Sequence, residues 1–155
     1  MAQQGRVVAV TGASGYIGTK LLERLEQEPS IRKLVAFDVA PLPLPIHNIA
    51  VYRKSVSEPI EDELNDQSAT TLVHLAFNAR RGANRGEVAE IHEENLQTLR
   101  SVMASCVSSR VTHLIYLSSH LVYGAHMDNP VPIPDDAEMR PPRDFPYARD
   151  KHHCE

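Results

Sequence analysis

The sequence predicts an α/β fold, a doubly wound parallel sheet, and three observations carry that expectation. Apolar runs of strand length alternate along the chain with segments of helical periodicity. A glycine-rich turn joins the first apolar run to the first helical segment, and an acidic residue closes the second run. Strand, helix, strand, loop, strand, helix, strand is the order that a parallel sheet with helical crossovers requires. Right-handed crossovers and the glycine turn together favour strand order 3-2-1-4-5.

The elements follow in chain order. Arg6–Thr11 is a continuous apolar run, as expected for a strand buried on both faces. The turn Gly12–Gly18 comes next, and Ile17, Leu21, Leu22 and Leu25 mark one face of a helix that ends near Pro29. Lys33–Asp38 is the second strand. Pro41–Pro45 lacks the amide donors a helix or central strand needs and is a loop. Ile49–Arg53 is a weak third strand, Ile60–Leu64 a short helix, and Thr70–Leu75 the fourth strand. From Asn84 to Ser108, Val88, Ile91, Leu99, Val102 and Cys106 recur three or four apart with Asn95 in the same stripe, which predicts a long helix. His113–Ser118 is the fifth strand. Asp128–Pro146, rich in proline and acids, is a surface loop, and Tyr147–Glu155 begins a helix.

Composition narrows the function classes. The chain has 155 residues, enough for one domain with a real core, with 42% hydrophobic and 23% charged residues. Aromatics are 5% and Trp is absent, so the core rests on Val, Ile, Leu and Ala. A net charge of −4 argues against nucleic acid or an anionic membrane as the main partner. The N-terminus reads as no signal peptide, and no run is long enough to cross a bilayer. Cys106 and Cys154 lie far apart and read as reduced thiols, so a cytoplasmic protein is expected.

Thr11-Gly12-Ala13-Ser14-Gly15-Tyr16-Ile17-Gly18 gives Gly-x-x-Gly-x-x-Gly between a strand and a helix, the context that gives the motif meaning. Gly12 allows a tight turn, Gly15 lets the backbone approach a pyrophosphate, and Gly18 lets the helix pack closely on the strand. The helix N-terminus offers unpaired N–H groups and a positive dipole end to phosphates. Gly12, Ser14, Gly15, Tyr16, Ile17 and Gly18 are the candidate cofactor-binding residues of this loop. Asp38 lies 20 residues after Gly18. A carboxylate there accepts hydrogen bonds from ribose hydroxyls and repels a 2′-phosphate, and Val39, Ala40 and Pro41 supply no cation after it, which favours NAD over NADP. The fold this describes is a Rossmann domain.

These residues resemble the extended short-chain dehydrogenase/reductase family, the NAD-dependent epimerase/dehydratase group, over nearly the whole chain. Thr11–Gly18 is similar to its Thr-Gly-x-x-Gly-x-x-Gly. His74-Leu75-Ala76-Phe77 is similar to its His-Leu-Ala-Ala, where the backbone lines the cofactor. Leu117–Gly124 resembles its Ser-Ser-x-x-Val-Tyr-Gly, Tyr147-Ala148-Arg149-Asp150-Lys151 fits its Tyr-x-x-x-Lys, and Glu155 falls where the family often has Glu. An acid followed by an apolar residue after the third strand contacts adenine in the family; here the nearest match is Ser55-Val56. The resemblance thus implies Leu75, Ala76, Phe77, Ser55, Val56 and Asn95 as further cofactor contacts. It implies Ser119, Tyr147 and Lys151 as the catalytic set, with Tyr147 and Lys151 also against the cofactor.

The chemistry is consistent with those residue types. Removing a hydroxyl proton during hydride transfer needs a base, and a free Tyr titrates near pH 10. Lys151 lies at i+4 from Tyr147, on the same helix face, where its ammonium stabilises the phenolate. By resemblance Lys151 also holds the nicotinamide ribose and Ser119 hydrogen-bonds the reacting oxygen, with Ser118 as the other reading. Asn95 interrupts an apolar stripe, and a buried amide must find partners. It either orders the region beneath the active site, as in the family, or makes a purely structural bond to a neighbouring strand. Arg80, Arg81 and Arg85 bind an anionic substrate such as a nucleotide sugar, or form a solvated basic loop. His152-His153-Cys154-Glu155 lacks convincing ligand spacing, so no metal is expected. His74, His113 and His120 read as packing or hydrogen-bonding residues at strand ends.

Two classes of function stay open at this point. One is an NAD-dependent oxidoreductase or sugar epimerase/dehydratase acting on a small molecule. The other is a non-catalytic dinucleotide-binding sensor or scaffold. Enzymes of the resembled family continue well beyond the Tyr-x-x-x-Lys helix, so residues 1–155 read as one NAD(P)-binding domain, with later strands and the substrate domain missing. The fifth strand then lies at an open edge, which predicts marginal stability, aggregation or homo-oligomer formation through that edge.

Overall fold

The computed structural model describes residues 5–79 and 84–155. Its elements run β1 (Arg6–Thr11), α1 (Tyr16–Glu26), β2 (Ile31–Asp38), β3 (Ile49–Arg53), α2 (Glu61–Asp66), β4 (Thr71–His74), α3 (Arg85–Val107), β5 (His113–Tyr116), a short 3-10 helix (His120–Tyr123) and α4 (Pro146–His153). The five strands form one sheet in the order β3-β2-β1-β4-β5, every pair parallel, as the sequence predicts. The chain divides into two compact units, Met1–Phe77 with Gln97–Leu117, and Asn78–Leu96 with Ser118–Glu155. The first holds the sheet. The second holds the N-terminal half of α3, the 3-10 helix and α4.

In the sheet unit, the continuous apolar runs of β1 and β2 divide by parity, because successive strand residues point to opposite faces. Val7, Ala9, Val35 and Phe37 enter one apolar cluster, with Ile60 and Leu64 from the α2 region and Val102 and Cys106 from α3. Val8, Val10, Leu34 and Ala36 enter the other, with Leu22 of α1. Each fully buried Val, Leu, Ile or Phe side chain among them contributes about 1.5–3 kcal/mol. Two clusters on opposite faces of one sheet are what doubly wound means in side-chain terms. The start of α2 is held by α3: Ser105 Oγ accepts from the Ile60 amide at 3.0 Å and donates to Glu61 at 2.9 Å.

The structure shifts several expected ends. β4 stops at His74, one residue before the expected Leu75, whose amide bonds the Thr11 carbonyl and hydroxyl oxygens, both at 3.2 Å. β5 stops at Tyr116 rather than Ser118, and the 3-10 helix at His120–Tyr123 follows it. α4 takes in Pro146 as its first residue, where a missing N–H costs nothing. β5 is an edge strand with Ile115 54% exposed. Among the described residues, no helix is long and apolar enough to cross a membrane.

Candidate active site

The sheet unit brings the first group of site residues together at the C-terminal ends of β1, β2 and β4. Thr11 ends β1, and its hydroxyl accepts the amides of Leu75 and Ala76 at 3.2 Å each. The same hydroxyl shares a hydrogen bond with His74 Nδ1 at 2.7 Å, on a ring that is itself buried. The exit of β4 is thereby drawn against the glycine turn. Gly12 has φ +67°, and a Cβ there would stand 2.7 Å from the Ala76 amide nitrogen and 2.9 Å from the Leu75 carbonyl carbon. Both the backbone conformation and the space demand glycine. Gly18 is required by packing alone, since its Cβ would lie 2.8 Å from Ala13 backbone atoms. Gly15 differs: a Cβ would meet only the Gly12 carbonyl, at 3.3 Å, so the fold itself leaves room there. That room suits a ligand pressed onto the backbone.

Gly15 is the N-cap of α1, no side chain caps this helix, and its first turn carries no acid. Neither a side-chain cap nor a first-turn acid offsets the positive end of the helix, which favours a phosphate there. Tyr16, 80% exposed, and the exposed Ile17 flank this end. Asp38, at the end of β2, accepts the Ser14 amide on Oδ2 at 2.8 Å and the Ala40 amide on Oδ1 at 2.9 Å. Ser14 Oγ also donates to the Ala40 carbonyl at 3.1 Å. The carboxylate is fixed against the glycine loop, and each oxygen keeps further acceptor capacity for a sugar hydroxyl. The residues present thus suit a dinucleotide: an open helix end for phosphate and an oriented carboxylate for ribose. Of the other expected cofactor residues, Leu75, Ala76 and Phe77 follow β4, half-buried. Val56 is part of the apolar core, and the Ser55 hydroxyl pairs with Ser57 Oγ at 2.7 Å.

The second unit holds the other group. Ser119 caps the 3-10 helix, its hydroxyl oxygen accepting the Leu121 amide at 3.3 Å, and the neighbouring Ser118 hydroxyl donates to Glu155. α4 packs on that short helix, which brings the Ser119 and Tyr147–Lys151 segments together. Tyr147 is half-buried beside Phe145, ring centroids 6.0 Å apart. Lys151 is only 4% exposed, and burial pushes its pKa down from 10.5 to about 8, with Cys154 and Glu155 partly opposing the fall. At pH 7 it is mainly cationic.

Asp150, between these residues, is equally buried, and a buried carboxylate needs donors. His92 of α3 supplies one from Nδ1 at 2.7 Å, and Asn95 Nδ2 lies at 3.4 Å. Asn95 also accepts the Asn78 amide at 2.8 Å and donates to the Asn78 carbonyl at 3.1 Å. Its side chain is therefore a hub between α4 and the segment after β4. His92 and Asp150 are 58 positions apart and were not singled out by sequence reasoning. Nor was Arg53, whose Nε donates to the Val39 carbonyl next to Asp38 at 3.1 Å. Only the strand pairing reveals that proximity. Arg80 and Arg81 lie outside the described residues, and Arg85 is the first residue of α3. Among the described residues, no group of His, Cys, Asp and Glu is arranged to hold a metal ion.

Comparison with known proteins adds a family. The sequence profile of the NAD dependent epimerase/dehydratase family matches residues 8–155. Uncharacterized proteins of Mycobacterium tuberculosis and Mycobacterium bovis are 28% identical over 154 residues, covering 96% of this chain and 41% of theirs. MoeE5, solved with UDP-glucose and NAD, is 29% identical with TM-score 0.78 over 97% of this chain and 46% of its own. The WbmG enzyme of Bordetella bronchiseptica, solved with NAD, matches at 22% identity and TM-score 0.79, covering 97% and 48%. A UDP-N-acetylglucosamine 4-epimerase of Methanobrevibacter ruminantium matches at 23% and 0.80, covering 97% and 48%. The chain thus spans somewhat under half the length of these relatives.

Proposed function

The chain belongs to the NAD dependent epimerase/dehydratase family, and from that membership we propose that it binds NAD and serves hydride transfer at a hydroxyl-bearing carbon of a nucleotide sugar. The observation that carries the dinucleotide reading is Asp38, its carboxylate held by the Ser14 and Ala40 amides beside the glycine turn. The open end of α1 takes the pyrophosphate, and Asp38 takes the adenosine ribose and disfavours a 2′-phosphate, hence NAD over NADP. MoeE5, solved with UDP-glucose and NAD, supports a UDP-sugar as substrate class.

Bound NAD supplies a hydride acceptor. The chain's own residues manage the proton. Tyr147 removes it from the substrate hydroxyl and returns it in the reverse step. Lys151, cationic at neutral pH despite its burial, stabilises the phenolate and holds the nicotinamide ribose. The Ser119 oxygen already accepts an amide, so its hydroxyl proton is available to the reacting oxygen. The polar hub of Asn95, Asp150 and His92 orients α4.

The test uses the chain with NAD and a panel of UDP-hexoses, following reduced nicotinamide by absorbance in a single turnover. At least one UDP-sugar gives reduced nicotinamide, and Tyr147→Phe lowers the rate by about a hundredfold or more. An unchanged rate in Tyr147→Phe removes Tyr147 from the acid/base role.

A further inference from the structure

Asp38 and Arg53 are partners in the β2–β3 ladder, so the last residue of β3 stands beside the carboxylate that closes β2. Arg53 is exposed, and its Nε donates to the Val39 carbonyl at 3.1 Å, one residue beyond Asp38. Among the described residues, no other hydrogen bond or ion pair engages its guanidinium. The next cation in sequence, Lys54, is committed elsewhere, to the Pro59 carbonyl and to Glu63 at 2.8 Å each. A guanidinium anchored through Nε keeps the donors of both terminal nitrogens for an anion, in the fork geometry that suits phosphate oxygens. Asp38, by contrast, has each oxygen already bonded to a backbone amide, which keeps it in place when a ligand arrives.

A lone carboxylate at the end of β2 rejects a 2′-phosphate through like charge. A cation held one residue away cancels much of that repulsion. We infer that Arg53 is a specificity-determining residue at the adenosine end: its guanidinium offsets Asp38 and receives the 2′-phosphate, so NADP is only modestly disfavoured against NAD. The inference rests on the dinucleotide-binding reading above.

Calorimetric titration of the chain with NAD and with NADP tests it. In Arg53→Ala the ratio of the NADP to the NAD dissociation constant rises about tenfold, the scale of one charge-assisted phosphate contact near the surface. In Arg53→Glu it rises further. Arg53 is exposed, and a matching far-UV circular dichroism spectrum shows that the variants fold. A ratio within twofold of the parent in both variants overturns the role of Arg53 and leaves the NAD reading standing. A folded parent chain that binds neither dinucleotide overturns the NAD reading, and this inference with it.

Discussion

Lys151→Met is expected to make the chain more stable at neutral pH, even as it removes a residue proposed for catalysis. The buried lysine has a pKa of about 8 in the fold against 10.5 for an exposed lysine. The unfolded chain therefore binds this proton more tightly than the folded one. Stability is reduced by the full cost of burying the charge below pH 8, and the cost disappears as pH rises from 8 towards 10.5. The size of the shift corresponds to about 3 kcal/mol. Methionine keeps the apolar stem and drops the charge, but it also loses the contacts of the ammonium. A net gain of about 1–2 kcal/mol at pH 7 is expected, or roughly 2–8 °C in melting temperature. Thermal unfolding of both proteins, followed by circular dichroism at pH 7, 8, 9 and 10, reads the effect. The gap between them narrows steadily above pH 8, since other titrating groups are common to both and cancel. A gap that does not change with pH refutes the reasoning, because burial of a charged lysine would then cost nothing.

Three further outcomes follow from the same geometry. Gly12→Ala destabilises by at least about 2 kcal/mol, measured by urea unfolding, since φ +67° and a Cβ 2.7 Å from the Ala76 amide nitrogen strain any side chain. His92→Ala costs about 2 kcal/mol by leaving Asp150 short of a donor, and costs much less in an Asp150→Asn background, which a double-mutant cycle reads. Burial raises the Cys106 thiol to about 11, so alkylation at pH 8 followed by mass spectrometry modifies Cys154 well before Cys106.

The centre of the sheet was legible in the sequence because β1 and β2 are buried on both faces over most of their length. A run such as Arg6–Thr11 then has no polar alternation to blur it, and the glycine turn marks where it ends. Asp38 was legible for a related reason: its place depends on one strand and one turn, both local. The 3-10 helix at His120–Tyr123 was not, because four residues are too few to show a period. The His92–Asp150 contact was hidden by its 58-residue separation, as nothing in either local sequence names the other. Arg53 was missed for a subtler reason. No cation follows Asp38 closely in the chain, whereas the parallel ladder brings one from 15 positions away, on the neighbouring strand.

The central claim is that the glycine turn and Asp38 form a nicotinamide-dinucleotide site, and a calorimetric titration of the chain and its Asp38→Ala variant with NAD tests it most directly. The account predicts saturable one-to-one binding to the parent chain, weakened about tenfold or more in the variant, whose ribose-facing acceptor is gone. A folded parent chain that takes up no NAD, or a variant that binds it equally well, contradicts the claim.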